Sequence, residues 1–385
     1  MSSIKKIFVV ALLVIWSFGL SAYGGWKLKA GLNGRWTYDT NVFNLSAGQA
    51  ADLRADSSAD QESGRFEDMN SVGDHIIRPS LSLAADGPGL FGRNLEIDLS
   101  VDYEFLVKNA RRNNAAIGAS IRQSLWKQGA LELSGLYVPK YFKRNYVIDG
   151  EPDDNGVVLP EDREYEPGVY REAEGRLGFE QRLLKRKKSG TPGLTARIGA
   201  GLSERRYDLE ELRGRNRNGR VLDAGLVFDF KSSWELDFAY RREFSESPVV
   251  TEVLLLDETD SSVDFNDDGD LLDQDVRIED TVDRSFNEDR FEATLTAPLG
   301  RETDLQLSAS FRLRRFTSVE PFDGYQGRHD NRWVFGVDFD HKWSSNLSLI
   351  AGYRYYSQTS SFPDVTGDED DYLKHNIRAG FSFKF

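Results

Sequence analysis

Hydrophobic and polar residues alternate along the final stretch of the chain, residues 373–385. Ile377, Phe381 and Phe385 fall on one face, while charged side chains such as Lys374 and Arg378 fall on the other. A period of two sends successive side chains to opposite faces, which is the geometry of a β-strand. The pattern therefore predicts a strand with one apolar and one polar face.

The same alternation recurs along the whole chain. It predicts fourteen strands, at residues 26–38, 76–85, 95–107, 114–126, 131–141, 170–184, 194–202, 221–230, 234–244, 290–297, 305–316, 332–340, 347–356 and 373–385. The third of these alternates apolar residues with the carboxylates of Glu96, Asp98, Asp102 and Glu104. Unpaired carboxylates are costly on the buried face of a soluble strand, whereas a water-filled interior tolerates them. We therefore expect an apolar face toward lipid and a polar face toward a lumen.

The connections between the predicted strands also alternate in length. Short connections follow the even-numbered strands, and mostly longer ones follow the odd-numbered strands. An even number of strands with short periplasmic turns and long extracellular loops produces this order, and a soluble sandwich does not. Aromatic residues near the two sets of strand ends fit interfacial girdles. The predicted fold class is all-β: a transmembrane antiparallel up-and-down β-barrel of about 14 strands without a plug domain.

The N-terminus has the pattern of a secretory signal peptide at residues 1–24. Lys5 and Lys6 precede an apolar run over residues 7–20, and small residues follow it. That run is shorter than the roughly 20 residues of a membrane-spanning helix, so an anchor helix is the less favoured alternative. The barrel domain is then expected at residues 25–385, entering its first strand almost at once.

Two short segments resemble known outer-membrane proteins. The last strand, which ends on Phe385, resembles the C-terminal signal of bacterial outer-membrane β-barrels, which their assembly machinery recognises. Residues 38–43 (YDTNVF) resemble the YDDNVF opening common in β-barrel porins of the outer membrane. The resemblance implies a location in the bacterial outer membrane, contact with outer-membrane lipid, and the assembly machinery as a partner.

Composition narrows the possible functions. The chain has no cysteine, which excludes disulfides and thiolate metal sites. Its hydrophobic content is low at 39%, yet aromatic residues reach 12%, as a polar lumen inside an aromatic-bordered apolar band would require. The net charge of −14 argues against a nucleic-acid partner.

Charged residues on the predicted inward faces suggest a pore. Beside the four carboxylates of residues 95–107, the predicted pore-lining set contains Arg122, Arg176, Arg197, Arg241, Arg312, Arg314, Arg354 and Arg378. Opposed acidic and basic ladders would orient polar solutes, and arginine holds carboxylates well. We expect a channel for small polar or anionic solutes. In the alternative, the two ladders pair across the lumen and close it, as in a sealed structural or export-associated barrel.

The long connection before residue 290 contains a candidate calcium loop over residues 264–275. Its spacing places oxygen ligands on Asp264, Asn266, Asp268, Asp270 and Asp275. The ending in aspartate resembles dockerin-type loops. We expect one Ca²⁺ there, and the alternative is a solvated acidic loop.

An enzymatic function has little support in the sequence. Outer-membrane phospholipases resemble this architecture, but they need a histidine and a serine placed together with an orienting asparagine. His329 is followed by Asp330 and Asn331, with no adjacent serine. The prediction is therefore a protein that is not an enzyme, with a lipid-modifying enzyme as the least favoured alternative.

Overall fold

The computed structural model describes residues 25–54, 69–150, 163–185, 192–230, 233–255, 277–319, 323, 325–361 and 371–385. The predicted signal peptide, residues 1–24, and the predicted calcium loop, residues 264–275, lie outside these ranges. Both stay predictions.

The described residues form sixteen strands and one α-helix. The strands are β1 (Lys27–Asp39), β2 (Asp74–Pro88), β3 (Asn94–Leu106), β4 (Asn114–Trp126), β5 (Gly129–Gly150), β6 (Arg163–Leu184), β7 (Gly193–Tyr207), β8 (Arg217–Asp229), β9 (Glu235–Glu246), β10 (Val250–Leu255), β11 (Arg277–Val282), β12 (Phe286–Pro298), β13 (Thr303–Phe316), β14 (His329–Lys342), β15 (Leu347–Ser360) and β16 (Tyr372–Lys384). All except β10 and β11 form one closed antiparallel barrel of fourteen strands. The predicted fold class is confirmed.

The barrel closes between its first and last strands. β1 pairs with β16 in a register that places Leu32 opposite Phe383. The backbone N–H of Phe385 then donates to the carbonyl oxygen of Ala30 at 2.9 Å. Closure leaves no unpaired strand edge, which a lipid environment requires because no water is available to hydrogen-bond an edge.

The outer face of the wall is apolar. Large hydrophobic side chains remain exposed there, including Leu99 (50%), Ile198 (61%) and Phe291 (50%). Trp126, Trp234 and other aromatic residues lie where this face ends. Exposed hydrophobic side chains around a closed wall, bordered by aromatic residues, are the outer surface of a membrane-spanning barrel.

Several connections contain more regular structure than the alternation predicts. β5 and β6 continue to residues 150 and 163 as a hairpin, although residues 142–168 were expected to be a loop. β10 and β11 form a separate two-stranded sheet within the expected loop over residues 245–289. Strands that extend past the membrane meet water on both faces, so their sequence needs no apolar alternation.

The α-helix, α1 (Ala47–Arg54), also lies in a stretch where only a loop was expected. No helix in the described part of the chain is long and apolar enough to cross a membrane.

Tyr141 differs from the predicted phase of its strand. The alternation places it outward with Tyr137, but the pairing of β5 with β6 shifts register between Val138 and Tyr141. Pro139 lies within this irregular stretch, and its missing N–H cannot join the hydrogen-bond ladder. The shift turns Tyr141 inward, where its ring lies 5.1 Å from that of Tyr170.

Candidate functional site

The inner face of the wall carries the charged side chains. All twelve residues of the predicted pore-lining set project inward: Glu96, Asp98, Asp102 and Glu104 from β3, Arg122 from β4, Arg176 from β6, Arg197 from β7, Arg241 from β9, Arg312 and Arg314 from β13, Arg354 from β15 and Arg378 from β16. A barrel with a charged inner face and an apolar outer face has the two surfaces of a membrane-spanning β-barrel. The chain is an outer-membrane β-barrel. Whether these residues line a conducting pore stays a prediction.

Ion pairs inside the barrel run along its wall. Arg122 reaches from β4 to Glu180 on β6 at 2.7 Å. The longest reach is from Arg241 on β9 to Glu174 on β6, at 3.0 Å. Fourteen strands about 4.8 Å apart and tilted by about 40° enclose a ring roughly 28 Å across. The ion pairs between described residues therefore coat the wall and do not join its opposite sides.

Glycines on the strand between two partners make room for these pairs. Arg197 of β7 reaches Asp237 of β9, at 2.6 Å, across Gly225 of β8. A Cβ at Gly225 would lie 3.4 Å from the Arg197 Nε. The pair between Arg378 and Asp338 likewise crosses Gly352 of β15, where a Cβ would overlap the carboxylate.

One charged recess lies against β4 to β9 and β12, and we call it the neutral cavity. Its volume is about 460 Å³. Its charged lining consists of five arginines and five carboxylates: Arg122, Arg176, Arg197, Arg241, Arg290, Glu132, Glu180, Asp223, Asp237 and Glu292. The described lining therefore has no net charge.

A smaller recess lies against β1, β2, β3, β5, β15 and β16, and we call it the basic cavity. Its volume is about 240 Å³. Its charged lining consists of six cations and two carboxylates: Arg35, Arg78, Arg112, Arg354, Lys374, Arg378, Asp39 and Glu104. This lining is strongly positive.

Val42 and Arg112, from the connections after β1 and β3, form the roof of the basic cavity. The Arg112 guanidinium donates to the carbonyl oxygen of Val42 and to the hydroxyl of Tyr141. The connection that carries Arg112 is held by the buried carboxylate of Asp74. This carboxylate accepts from the backbone N–H of Asn109 at 2.8 Å and from its side-chain amide at 2.9 Å. The position of Arg112 is therefore set by buried hydrogen bonds.

A row of arginines crosses four neighbouring strands. Arg290 of β12 lies directly opposite Arg241 of β9 and Arg312 of β13, and Arg312 lies opposite Arg332 of β14. In the ring of fourteen strands, β12 stands seven places from β3, which carries the four carboxylates. The acidic strand and the arginine row therefore face each other across the lumen.

Six of these lumenal cations lie outside the predicted pore-lining set. Arg35, Arg78, Arg290, Arg332 and Lys374 share the inward phase of their strands, so the alternation contained the signal for them. Arg112 lies in a connection between strands, where no alternation exists, and only the fold brings it to the lumen.

The structure also brings a serine to His329, which the sequence did not predict. The Ser361 hydroxyl lies 2.6 Å from Nδ1 of His329. The same hydroxyl accepts from the backbone N–H of His329 at 3.0 Å. Within the described ranges, no hydrogen bond reaches the other ring nitrogen. The pair thus lacks the orienting third group of a hydrolase triad and joins two strand ends instead.

Comparison with known proteins finds similarity to this chain only among solved structures. No protein-family model matches the sequence, and neither does any curated protein. Similar solved structures include an anion-selective porin from Comamonas acidovorans, with 10% identity over 94% of this chain and 99% of that one and a TM-score of 0.38.

Two further structures have comparable likeness. OccAB3 of Acinetobacter baumannii shares 10% identity over 93% of this chain and 100% of that one, with a TM-score of 0.40. The translocator domain of the autotransporter NalP from Neisseria meningitidis shares 11% identity over 99% of this chain and 96% of that one, with a TM-score of 0.33. Likeness this distant says nothing about what the present barrel carries.

Proposed function

We propose that this protein is a channel for small polar and anionic solutes across the outer membrane. The observation that carries the proposal is the pairing pattern of the inner wall. Between described residues, its ion pairs follow the wall over at most three strand-to-strand steps and leave charged recesses instead of a packed core. Water fills polar recesses of this kind, and a polar solute can exchange its hydration for the lining groups.

The arrangement of charge favours oriented passage. Carboxylates on β3 face the arginine row on β9, β12, β13 and β14. Fixed charges of opposite sign on opposite walls create a field across the lumen, which aligns a dipolar or charged solute as it passes. The excess of cations in the basic cavity favours solutes with negative charge.

Conductance in planar bilayers tests the channel against a sealed structural or export-associated barrel. The folded barrel should produce discrete conductance steps, and heat-unfolded protein from the same preparation should produce none. A folded barrel that conducts at no applied voltage would support the sealed alternative.

A lipid hydrolysis assay tests the enzymatic alternative. Because the His329–Ser361 pair lacks an orienting group among the described residues, we expect no cleavage of phospholipid by wild type. Ser361→Ala should therefore match wild type in both hydrolysis and conductance. Cleavage by wild type that Ser361→Ala abolishes would contradict this part of the proposal.

We also propose that residues 264–275 bind one Ca²⁺, on the strength of their sequence. Carboxylate and amide oxygens at EF-hand spacing suit a hard cation, and extracellular modules of this type bind with Kd on the order of 0.1–1 mM. Calorimetry should detect calcium binding by wild type and none by Asp264→Ala/Asp268→Ala. Equal heats from the two proteins would mean that the acidic run is only solvated.

A further inference from the structure

The basic cavity contains more cations than the surrounding carboxylates can pair. Arg78 pairs with Glu104, Lys374 with Asp39, and Arg378 with Asp338, which lies beside the cavity on β14. Among the described residues, this leaves the guanidinium groups of Arg35, Arg112 and Arg354 without an ion pair.

Two of these arginines have unsatisfied bonding capacity. Nε of Arg354 is buried and has no hydrogen-bond partner within the described ranges. Arg35 makes no ion pair or hydrogen bond with a described residue, and it stands directly opposite Arg78 in the pairing of β1 with β2. Like charges at directly opposed positions destabilise a sheet, and a buried donor without a partner costs the free energy of its desolvation.

Among the residues that the structure describes, Arg112 bonds only neutral groups. Its guanidinium donates to the Val42 carbonyl and the Tyr141 hydroxyl. Its charge is therefore uncompensated at the roof, directly above the space that Arg35 and Arg354 line. Partly buried positive charges around one space are stabilised by an anion placed between them.

We infer that the basic cavity binds one compact oxyanion of the phosphate class. Guanidinium groups present two parallel N–H donors and match the paired oxygens of phosphate, which a spherical chloride ion cannot exploit. A volume of about 240 Å³ holds on the order of eight waters at about 30 Å³ each. That space suits a small oxyanion with a few waters.

The site rests on the proposed channel function only for the route by which the anion enters. Binding itself requires no conduction, so the two proposals fail separately. Phosphate binding without conductance would contradict the channel and leave the site intact. Conductance without phosphate binding would contradict the site and leave the channel intact.

The test is calorimetric titration of inorganic phosphate into the folded barrel in detergent, with chloride as the background anion. Wild type should bind one phosphate per barrel. Arg35→Gln/Arg354→Gln should weaken binding by about tenfold or more, because each charge-assisted hydrogen bond contributes roughly one decade of affinity.

Arg197→Gln/Asp237→Asn is the matched control, since it removes a guanidinium from the neutral cavity without changing its net charge. It should bind phosphate as wild type does. Wild type without saturable heat, or equal affinity in all three proteins, would overturn the inference.

A second variant guards against failure of the first to fold. Arg35→Lys/Arg354→Lys keeps both charges but loses the paired donors. Its affinity for phosphate should fall below that of wild type while the barrel keeps its heat-modifiable migration on gels. Affinity equal to that of wild type would contradict recognition by the guanidinium forks.

Discussion

The neutral and basic cavities lie in one lumen and use the same residue types, yet they differ in charge balance. Five arginines and five carboxylates line the first, whereas six cations and two carboxylates line the second. In the neutral cavity, arginines reach over intervening strands to carboxylates such as Asp237. In the basic cavity, Arg35 and Arg354 have no such partner among the described residues. A barrel wall can therefore carry many arginines without net charge. The excess of cations in the basic cavity is a separate feature that needs its own explanation.

Two ion pairs, one beside each cavity, also differ in how deeply they are buried. The side chains of Arg378 and Asp338, beside the basic cavity, are 10% and 11% exposed. Those of Arg197 and Asp237, in the neutral cavity, are 41% and 29% exposed. Exposed pairs contribute little because water and salt screen them, while a buried charge that loses its partner is costly. The same truncation should thus have different effects in the two cavities.

The largest expected effect comes from Asp338→Ala. It leaves Arg378 buried without its carboxylate, and we expect the free energy of unfolding to fall by about 3–5 kcal/mol. Asp237→Ala, in the neutral cavity, should cost less than about 1 kcal/mol. Urea unfolding of the folded barrel in detergent measures both. Equal losses would mean that the two cavities do not differ in solvation.

Asp74→Ala should break the roof of the basic cavity. Its carboxylate accepts hydrogen bonds from Asn109 and from the backbone N–H of Lys108, so its removal leaves buried donors unpaired. We expect a loss of about 2–3 kcal/mol and easier protease cleavage in the 107–113 connection. Phosphate affinity should fall too, because Arg112 is no longer held in place. Unchanged protease resistance would contradict this role of Asp74.

Gly352→Ala tests the glycine that lets a pair cross its strand. The added Cβ would overlap the Asp338 carboxylate, and overpacking of this kind costs about 1–3 kcal/mol. Gly225→Ala in the neutral cavity should cost less, because its Cβ would lie 3.1 Å from the Phe238 carbonyl oxygen and 3.4 Å from Arg197. Equal stability of Gly352→Ala and wild type would show that the pair does not need this space.

The smallest effect is expected from Arg197→Gln/Asp237→Asn. Both partners of a solvent-accessible pair are replaced by neutral polar groups, so stability should change by no more than about 0.5 kcal/mol. A loss several times larger would mean that the neutral cavity depends on its ion pairs as much as the basic cavity does.

The alternation of side chains was enough to predict the barrel, because each membrane strand must present one face to lipid and the other to water. It placed Arg354 and Arg378 inward for the same reason. The alternation did not predict the structure of segments that do not separate lipid from water. Tyr141 lies beyond an irregular stretch at Pro139, and β10 and β11 belong to none of the fourteen wall strands.

The charge imbalance of the basic cavity had no single signal in the sequence. It arises where β1, β2, β15 and β16 meet the connection that carries Arg112, and chain positions as distant as 35 and 378 share it. Pairing is likewise invisible along the chain, since Arg241 and its partner Glu174 are 67 residues apart. The same limit explains why Ser361 beside His329 was missed.

The reversal potential across a bilayer under a KCl gradient tests the central claim most directly, that the lumen conducts and that its basic cavity sets a preference for anions. Wild type should show a reversal potential of the sign that anion selectivity requires. Arg35→Gln/Arg354→Gln should move it toward zero, and Arg197→Gln/Asp237→Asn should leave it unchanged. Cation selectivity in wild type, or equal shifts in both variants, would contradict the account.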